Sequence, residues 1–222
     1  MLALESDAPL IVYVDIKSPY AFVALRPTFE LEAALGLQFD WRPLTLDIPS
    51  YLGSARKSKG KIVQSDRTPA SWRAVKYAYM DTRRYAQRQG YVLKGTEKIW
   101  DTRMVSTAIL WVSRQDRSRI KAFFETVYPA FWRRELDVEA LAVVKSCIET
   151  AGVDSRGFDQ FLLGEGGVLH DDLQAQLHPS GIYGVPTYVC EGEILFGREQ
   201  LPYVKWILQG RRGDAPDVGN PL

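Results

Sequence analysis

Val12–Phe22 reads VYVDIKSPYAF, an apolar run that ends abruptly in Ser18-Pro19-Tyr20. Branched and aromatic residues from Leu10 to Asp15 spell a buried strand. Ser18 carries the side-chain oxygen an N-cap needs, and Pro19 suits the first helical position, where its missing N–H leaves no bond unmade. The helix then continues through YAFVALRPTFELEAALG to a stop at Gly36, with Pro27 expected to kink or divide it. The next stretch, LQFDWRPL, alternates as a second strand. Strand, helix and strand at this spacing make a βαβ unit, so Leu10 to Leu46 should hold two parallel strands.

Beyond it the pattern changes. Asp47 to Ser71 reads as a polar loop bearing glycine and lysine, and helical segments follow to about Gly181. The best defined are SWRAVKYAYMDTRRYAQRQG, TRMVSTAILWVSRQ, DRSRIKAFFETVYPAFWRRE and DVEALAVVKSCIETAG, the third expected to kink at Pro129. Several open on Ser, Thr or Asp and two close on Gly, as helix caps require. After Gly184 the chain returns to β structure: PTYVCEGEILFG is two short strands about a CEGE turn. REQLPYVKWILQG supplies a last helix with Leu201, Val204 and Leu208 on one face, and the tail RRGDAPDVGNPL looks frayed. The expected organisation is α/β. Residues 1–46 and 182–222 form one domain, and 47–181 form a loop plus a helical insertion.

Bulk properties exclude several functions. The 222 residues are 46% hydrophobic and 25% charged, with a formal net charge of +1. No global field points to a nucleic acid or a membrane partner. No apolar run approaches the roughly 20 residues that span a bilayer. MLALESDAPL lacks the regions of a secretory signal, so the cytoplasm is the expected location. Cys147 and Cys190 are the only cysteines, in no C-x-x-C pair, and read as buried, reduced and structural. His170 and His178 are the only histidines. Without H-E-x-x-H, G-x-S-x-G or a phosphate-cradling glycine loop, metal, serine-hydrolase and nucleotide chemistry are not expected.

SPYAF at Ser18–Phe22, followed much later by GVPTYVCEGEILFGREQL, resembles the DsbA-like thioredoxin superfamily. Within it the similarity is to the branch of 2-hydroxychromene-2-carboxylate isomerases and kappa-class glutathione transferases, and it extends over nearly the whole chain. The resemblance implies that the βαβ and ββα parts dock as a thioredoxin-like fold. It implies glutathione as cofactor and a small aromatic or electrophilic substrate, and it allows a homodimer. Disulfide oxidoreductases of the superfamily carry C-x-x-C where this chain has Ser18-Pro19-Tyr20-Ala21. Both sulfurs are absent, so dithiol exchange at this turn is chemically impossible. Ser18 is then expected as an exposed hydroxyl that stabilises the glutathione thiolate, helped by the helix N-terminus around Pro19 and Tyr20.

The resemblance also implies a cis peptide at Val185–Pro186, which would turn the Val185 backbone outward to pair with the ligand. Glu199 matches the acid that meets the ligand's amino group, and Arg198 is placed to grip a carboxylate. Capping of the last helix is the rival role for both. The loop after the second strand departs from the branch: it has no G-N-x-P-P stretch, and Arg73 or Lys76 stands where a lysine is usual. From Arg56 to Lys94, Lys and Arg greatly outnumber the two acids, Asp66 and Asp81; this patch either attracts an anionic ligand or is a solvated face. Trp100, Trp111, Trp132 and Tyr128 read mostly as core, some walling a substrate pocket. Two alternatives stay open: a catalytically silent module that binds peptides at the GVPT edge, and thiol–disulfide exchange through Cys190.

Overall fold

The computed structural model describes residues 1–217; the end of the tail expected to fray, residues 218–222, lies outside the described residues. Strand β1 (Ile11–Val14) feeds helix α1 (Pro19–Leu35), and strand β2 (Asp40–Pro43) follows. β2 lies parallel to β1, with Ile11 opposite Asp40 and Val14 opposite Pro43. Both strands are buried at every residue. Even the charged pair in β2 is enclosed. Arg42 donates through Nε to Asp40 at 2.9 Å, and through its two terminal nitrogens to the carbonyls of Leu2 and Glu5 at 2.6 and 2.7 Å. The N-terminal segment is thereby strapped along the sheet.

α1 runs undivided through Pro27. Proline lacks an N–H, so the Val23 carbonyl one turn earlier loses its helical donor. Gln89 replaces it, its Nε2 donating to the Val23 carbonyl at 2.9 Å. Gly36 ends the helix at φ 63°, a left-handed cap in which its N–H and that of Leu37 satisfy the Ala33 and Glu32 carbonyls.

The segment expected as a loop is largely ordered. It holds a short helix, α2 (Ile48–Leu52), and an antiparallel hairpin of β3 (Ala55–Ser58) and β4 (Lys61–Ser65). Lys59 and Gly60 at its tip have φ of 50° and 77°, the double left-handed turn of two-residue hairpins. Every residue of β4 is exposed, so no alternation of apolar and polar residues advertises a strand.

Helices α3 (Pro69–Arg88), α4 (Arg103–Asp116), α5 (Ile120–Trp132), α6 (Leu141–Thr150), α7 (Phe158–Leu163) and α8 (Glu165–Leu177) follow. α4 is the hub: Val105 to Val112 are all buried, against β2 and α5 to α8. α5 also continues through its proline, Pro129. Phe22 of α1 stacks between Tyr128 and Trp132 of α5 at centroid distances of 5.8 and 6.2 Å, which ties the helices to the sheet. Tyr128, Trp132 and Trp111 are core; Trp100 is half-buried.

Strands β5 (Thr187–Cys190) and β6 (Glu193–Phe196) form the expected hairpin about Glu191 and Gly192. β5 pairs antiparallel with β1, giving one sheet in the order β2-β1-β5-β6. Helix α9 (Leu201–Leu208) buries Val204 and Ile207, with Leu201 and Leu208 half-buried beside them. The result is α/β and thioredoxin-like, βαβ…ββα, with helices inserted between the halves.

Candidate active site

Because β5 lies beside β1, the start of α1 meets the segment that leads into β5. The Val185–Pro186 peptide there is cis. Ser18 Oγ accepts the Ala21 N–H at 3.2 Å, capping α1, and donates to the Val185 carbonyl at 3.4 Å. The hydroxyl is not exposed as expected: Ser18 is 4% accessible because Val185 closes over it. The Val185 backbone is likewise not fully outward, since its carbonyl faces Ser18. Its N–H has no partner among the described residues.

Pro19 and Tyr20 are half-buried at the rim. The Tyr20 hydroxyl donates to Asp81 Oδ2 at 3.3 Å. Burial, reinforced by the Asp81 charge, pushes this phenol up to about 12, so it remains a protonated donor. One turn along α3, the Arg198 guanidinium lies 4.2 Å from the Tyr85 ring centroid, and its Nε is buried without a partner. Glu199 is exposed, its carboxylate folded back over Gly197, where any Cβ would collide with it. Neither residue caps α9; its N-cap is Gln200, with no side-chain bond. The structure thus joins Ser18, Val185 and Pro186 directly, with Tyr20 alongside. Arg198 lies over the Tyr85 ring of α3, and among the described residues no hydrogen bond or ion pair joins Glu199 to the group.

Behind the turn lies a buried ion pair that sequence reasoning missed. Asp15, fully buried, accepts the Thr102 hydroxyl at 2.8 Å, the Leu46 N–H at 2.8 Å and the Lys17 N–H at 3.2 Å. Lys17 Nζ sits 3.7 Å from the same carboxylate and donates to the Trp100 carbonyl at 3.3 Å. Burial holds the Asp15 carboxyl above the usual carboxylate range, against the opposing pull of Lys17 and the N–H donors. Its signal was an acid and a lysine flanking Ile16 in an apolar run. Trp100 itself opens onto a cavity of about 340 Å³ lined by Phe131, Leu136 and Arg134.

A second, partly buried network fastens α8 to the segment just after β2. His170 Nδ1 pairs with Asp171 at 2.8 Å and Nε2 with the Thr45 hydroxyl at 2.9 Å, and the Thr45 and Ser106 hydroxyls lie 3.0 Å apart. Burial pushes the imidazole below its ordinary value. Hydrogen bonds from Arg103 and His170 draw Asp171 down to about 2. Cys190 is buried, and burial with nearby Glu193 pushes its thiol up to about 11. Cys147, on α6, is buried as well. A sulfur so protonated and enclosed is a poor exchanger. Among the described residues no cluster of His, Cys, Asp and Glu could hold a metal, and no helix is long and apolar enough to cross a membrane.

A βαβ and a ββα unit sharing one sheet, with a helix-start residue facing a cis proline, define a thioredoxin-fold protein. Here the turn carries a hydroxyl and no sulfur. The model of the DSBA-like thioredoxin domain matches residues 9–209, and the chain belongs to that family. A 2-hydroxychromene-2-carboxylate isomerase of Sphingobium xenophagum is 22% identical over 198 residues, covering 87% of this chain and 94% of its own. A solved 2-hydroxychromene-2-carboxylate isomerase superposes with a TM-score of 0.65 at 18% identity, covering 91% of this chain and 94% of that one. A probable DsbA oxidoreductase of Streptomyces coelicolor gives 0.64 at 16%, covering 93% and 92%. At such identities the structures share a fold with this chain.

Proposed function

We propose that the chain is a glutathione-dependent isomerase or transferase acting on a small aromatic or electrophilic compound, with Ser18 stabilising the glutathione thiolate. The observation that carries this reading is the Ser18 hydroxyl itself, held at the sulfur-free turn against the residue before the cis proline. The surroundings fit such a ligand. Val185 has an unpaired N–H for an extended peptide, and Arg198 has a buried Nε without a partner for an acceptor. Glutathione, when bound, would supply the nucleophilic sulfur this turn lacks. Ser18, Pro19, Tyr20, Val185 and Pro186 would hold its thiol end, and Arg198 with Glu199 its γ-glutamyl end.

Burial of Ser18 sets a condition. Its donation to Val185 is long, at 3.4 Å. A hydrogen bond to an anionic sulfur is charge-assisted and stronger, so the hydroxyl turns to the ligand as Val185 yields. The pull of the α1 N-terminus adds to it. The name of the Sphingobium relative points to an aromatic carboxylate as substrate.

A second reading, a silent module that binds a peptide along Val185, is favoured by the same burial of Ser18. Calorimetric titration of glutathione, paired with ultraviolet monitoring of 2-hydroxychromene-2-carboxylate, separates the two. Heat on titration and isomerisation only when glutathione is present support the enzyme. No heat and no turnover at millimolar glutathione overturn it and leave the module.

A further inference from the structure

The net charge of +1 conceals a region of one sign. Between Pro43 and Met80 the chain has seven cations, Arg56, Lys57, Lys59, Lys61, Arg67, Arg73 and Lys76, against two acids, Asp47 and Asp66. No ion pair among the described residues touches this stretch; those flanking it are Asp40–Arg42 and Asp81–Arg84. Elsewhere exposed Lys and Arg commonly find a carboxylate, as Arg103 finds Asp171 and Lys98 finds Glu139. Four of the seven unpaired cations lie on the hairpin of β3 and β4, within six consecutive residues.

The same hairpin exposes apolar side chains. Ile62 is 51% and Val63 60% accessible. As neighbours in a strand they point to opposite faces, so neither face of β4 packs on the body. The base, in contrast, is fastened: the Lys57 N–H donates to the Glu97 carbonyl at 2.7 Å, and Arg67 Nε to the Gly53 carbonyl at 3.1 Å. A hairpin fastened at its base thus presents bare aliphatic groups on the same short segment as four cations that make no ion pair.

We propose that this hairpin docks the protein on an anionic phospholipid surface, Arg56, Lys57, Lys59 and Lys61 meeting the headgroups while the aliphatic side chain of the docked face, Ile62 or Val63, enters the interface. Charge attraction and apolar insertion act together in interfacial binding, and this segment carries both. A second copy of the chain is a poorer occupant, because a two-fold interface would bring each cation cluster against its own image. A nucleic acid would satisfy the cations and leave the two aliphatic side chains in water. The proposal replaces the expectation of no membrane partner, which rested on total charge, and it is independent of the chemistry at Ser18.

Flotation of the intact chain with vesicles tests it, using phosphatidylcholine alone and phosphatidylcholine with phosphatidylglycerol. Binding should require the anionic lipid and be released as salt shortens the screening length. Lys59→Asn with Lys61→Gln keeps a residue tolerant of the left-handed turn and removes two charges, lowering partitioning about 30-fold. Ile62→Thr with Val63→Thr, exposed changes that preserve strand propensity, should also abolish flotation. Circular dichroism confirms that both variants are folded. Equal binding to neutral vesicles, no binding to either, or a solution dimer that Ile62→Thr with Val63→Thr dissociates would each overturn the proposal.

Discussion

Replacing Ser18 by alanine tests the proposed chemistry where the structure allows magnitudes to be worked. In the free protein Ser18 Oγ makes two long contacts, 3.2 Å from the Ala21 nitrogen and 3.4 Å to the Val185 carbonyl. Loss of an N-cap of this kind costs about 1 kcal/mol. For a chain of this size that lowers the melting temperature by about 2–4 °C, leaving the protein folded at assay temperature. The effect on a bound thiolate is larger. A hydrogen bond to a charged acceptor is worth about 1.5–3 kcal/mol. One pKa unit corresponds to about 1.4 kcal/mol, so the variant should raise the bound thiol's pKa by one to two units.

The assay is the pH dependence of kcat/KM with glutathione, alongside thiolate absorbance of the bound ligand. Ser18→Ala should shift the acidic limb upward by one to two units and reduce the neutral-pH rate about 10- to 100-fold. Ser18→Thr, which keeps the hydroxyl, should restore the limb. A merely structural cap would lower activity uniformly or not at all. An acidic limb that stays put in Ser18→Ala refutes the thiolate role, however much the rate falls.

Three further outcomes are expected. Arg42→Leu leaves the Asp40 carboxylate buried with Ser6 as its remaining side-chain partner; urea unfolding should show a loss of about 3–5 kcal/mol, partly recovered by adding Asp40→Asn. Asp171 is held down to about 2 by Arg103 and His170. Its stabilisation is therefore complete above its unfolded pKa of about 4 and lost as pH falls toward 2, and Arg103→Ala should flatten the decline of the urea midpoint in that window. Cys190, its thiol pushed up to about 11 by burial, and buried Cys147 should resist a thiol reagent at neutral pH in the native protein and react once urea unfolds it; rapid labelling of native Cys190 would contradict the enclosure described.

What was legible in the sequence was whatever local chemistry dictates. IVYV and TYVC announce strands because their residues are buried on both faces, and Ser18-Pro19 announces a helix start. The β3–β4 hairpin escaped because a strand with no buried face carries no periodicity. Pro27 misled because the repair of its lost bond comes from Gln89, far away in sequence and visible only after α3 packs on α1. At the site, Ser18 and the Val185–Pro186 segment stood out, but the burial of Ser18 did not. Exposure depends on how β5 docks beside β1, a contact across 167 positions.

The buried pair behind Ser18 explains how the turn keeps its shape without sulfur. Three segments converge on the pair and on Ser18 beside it. Thr102 and Leu46 donate to Asp15, Trp100 accepts from Lys17, and Val185 accepts from Ser18. Each comes from a different part of the chain: the start of α4, the exit of β2 and the entry to β5. None of these bonds involves a side chain from the four positions Ser18–Ala21 other than Ser18 itself. A scaffold held from outside in this way tolerates replacement of the reactive atoms at its centre. The turn remains a positioned helix N-terminus with one hydroxyl.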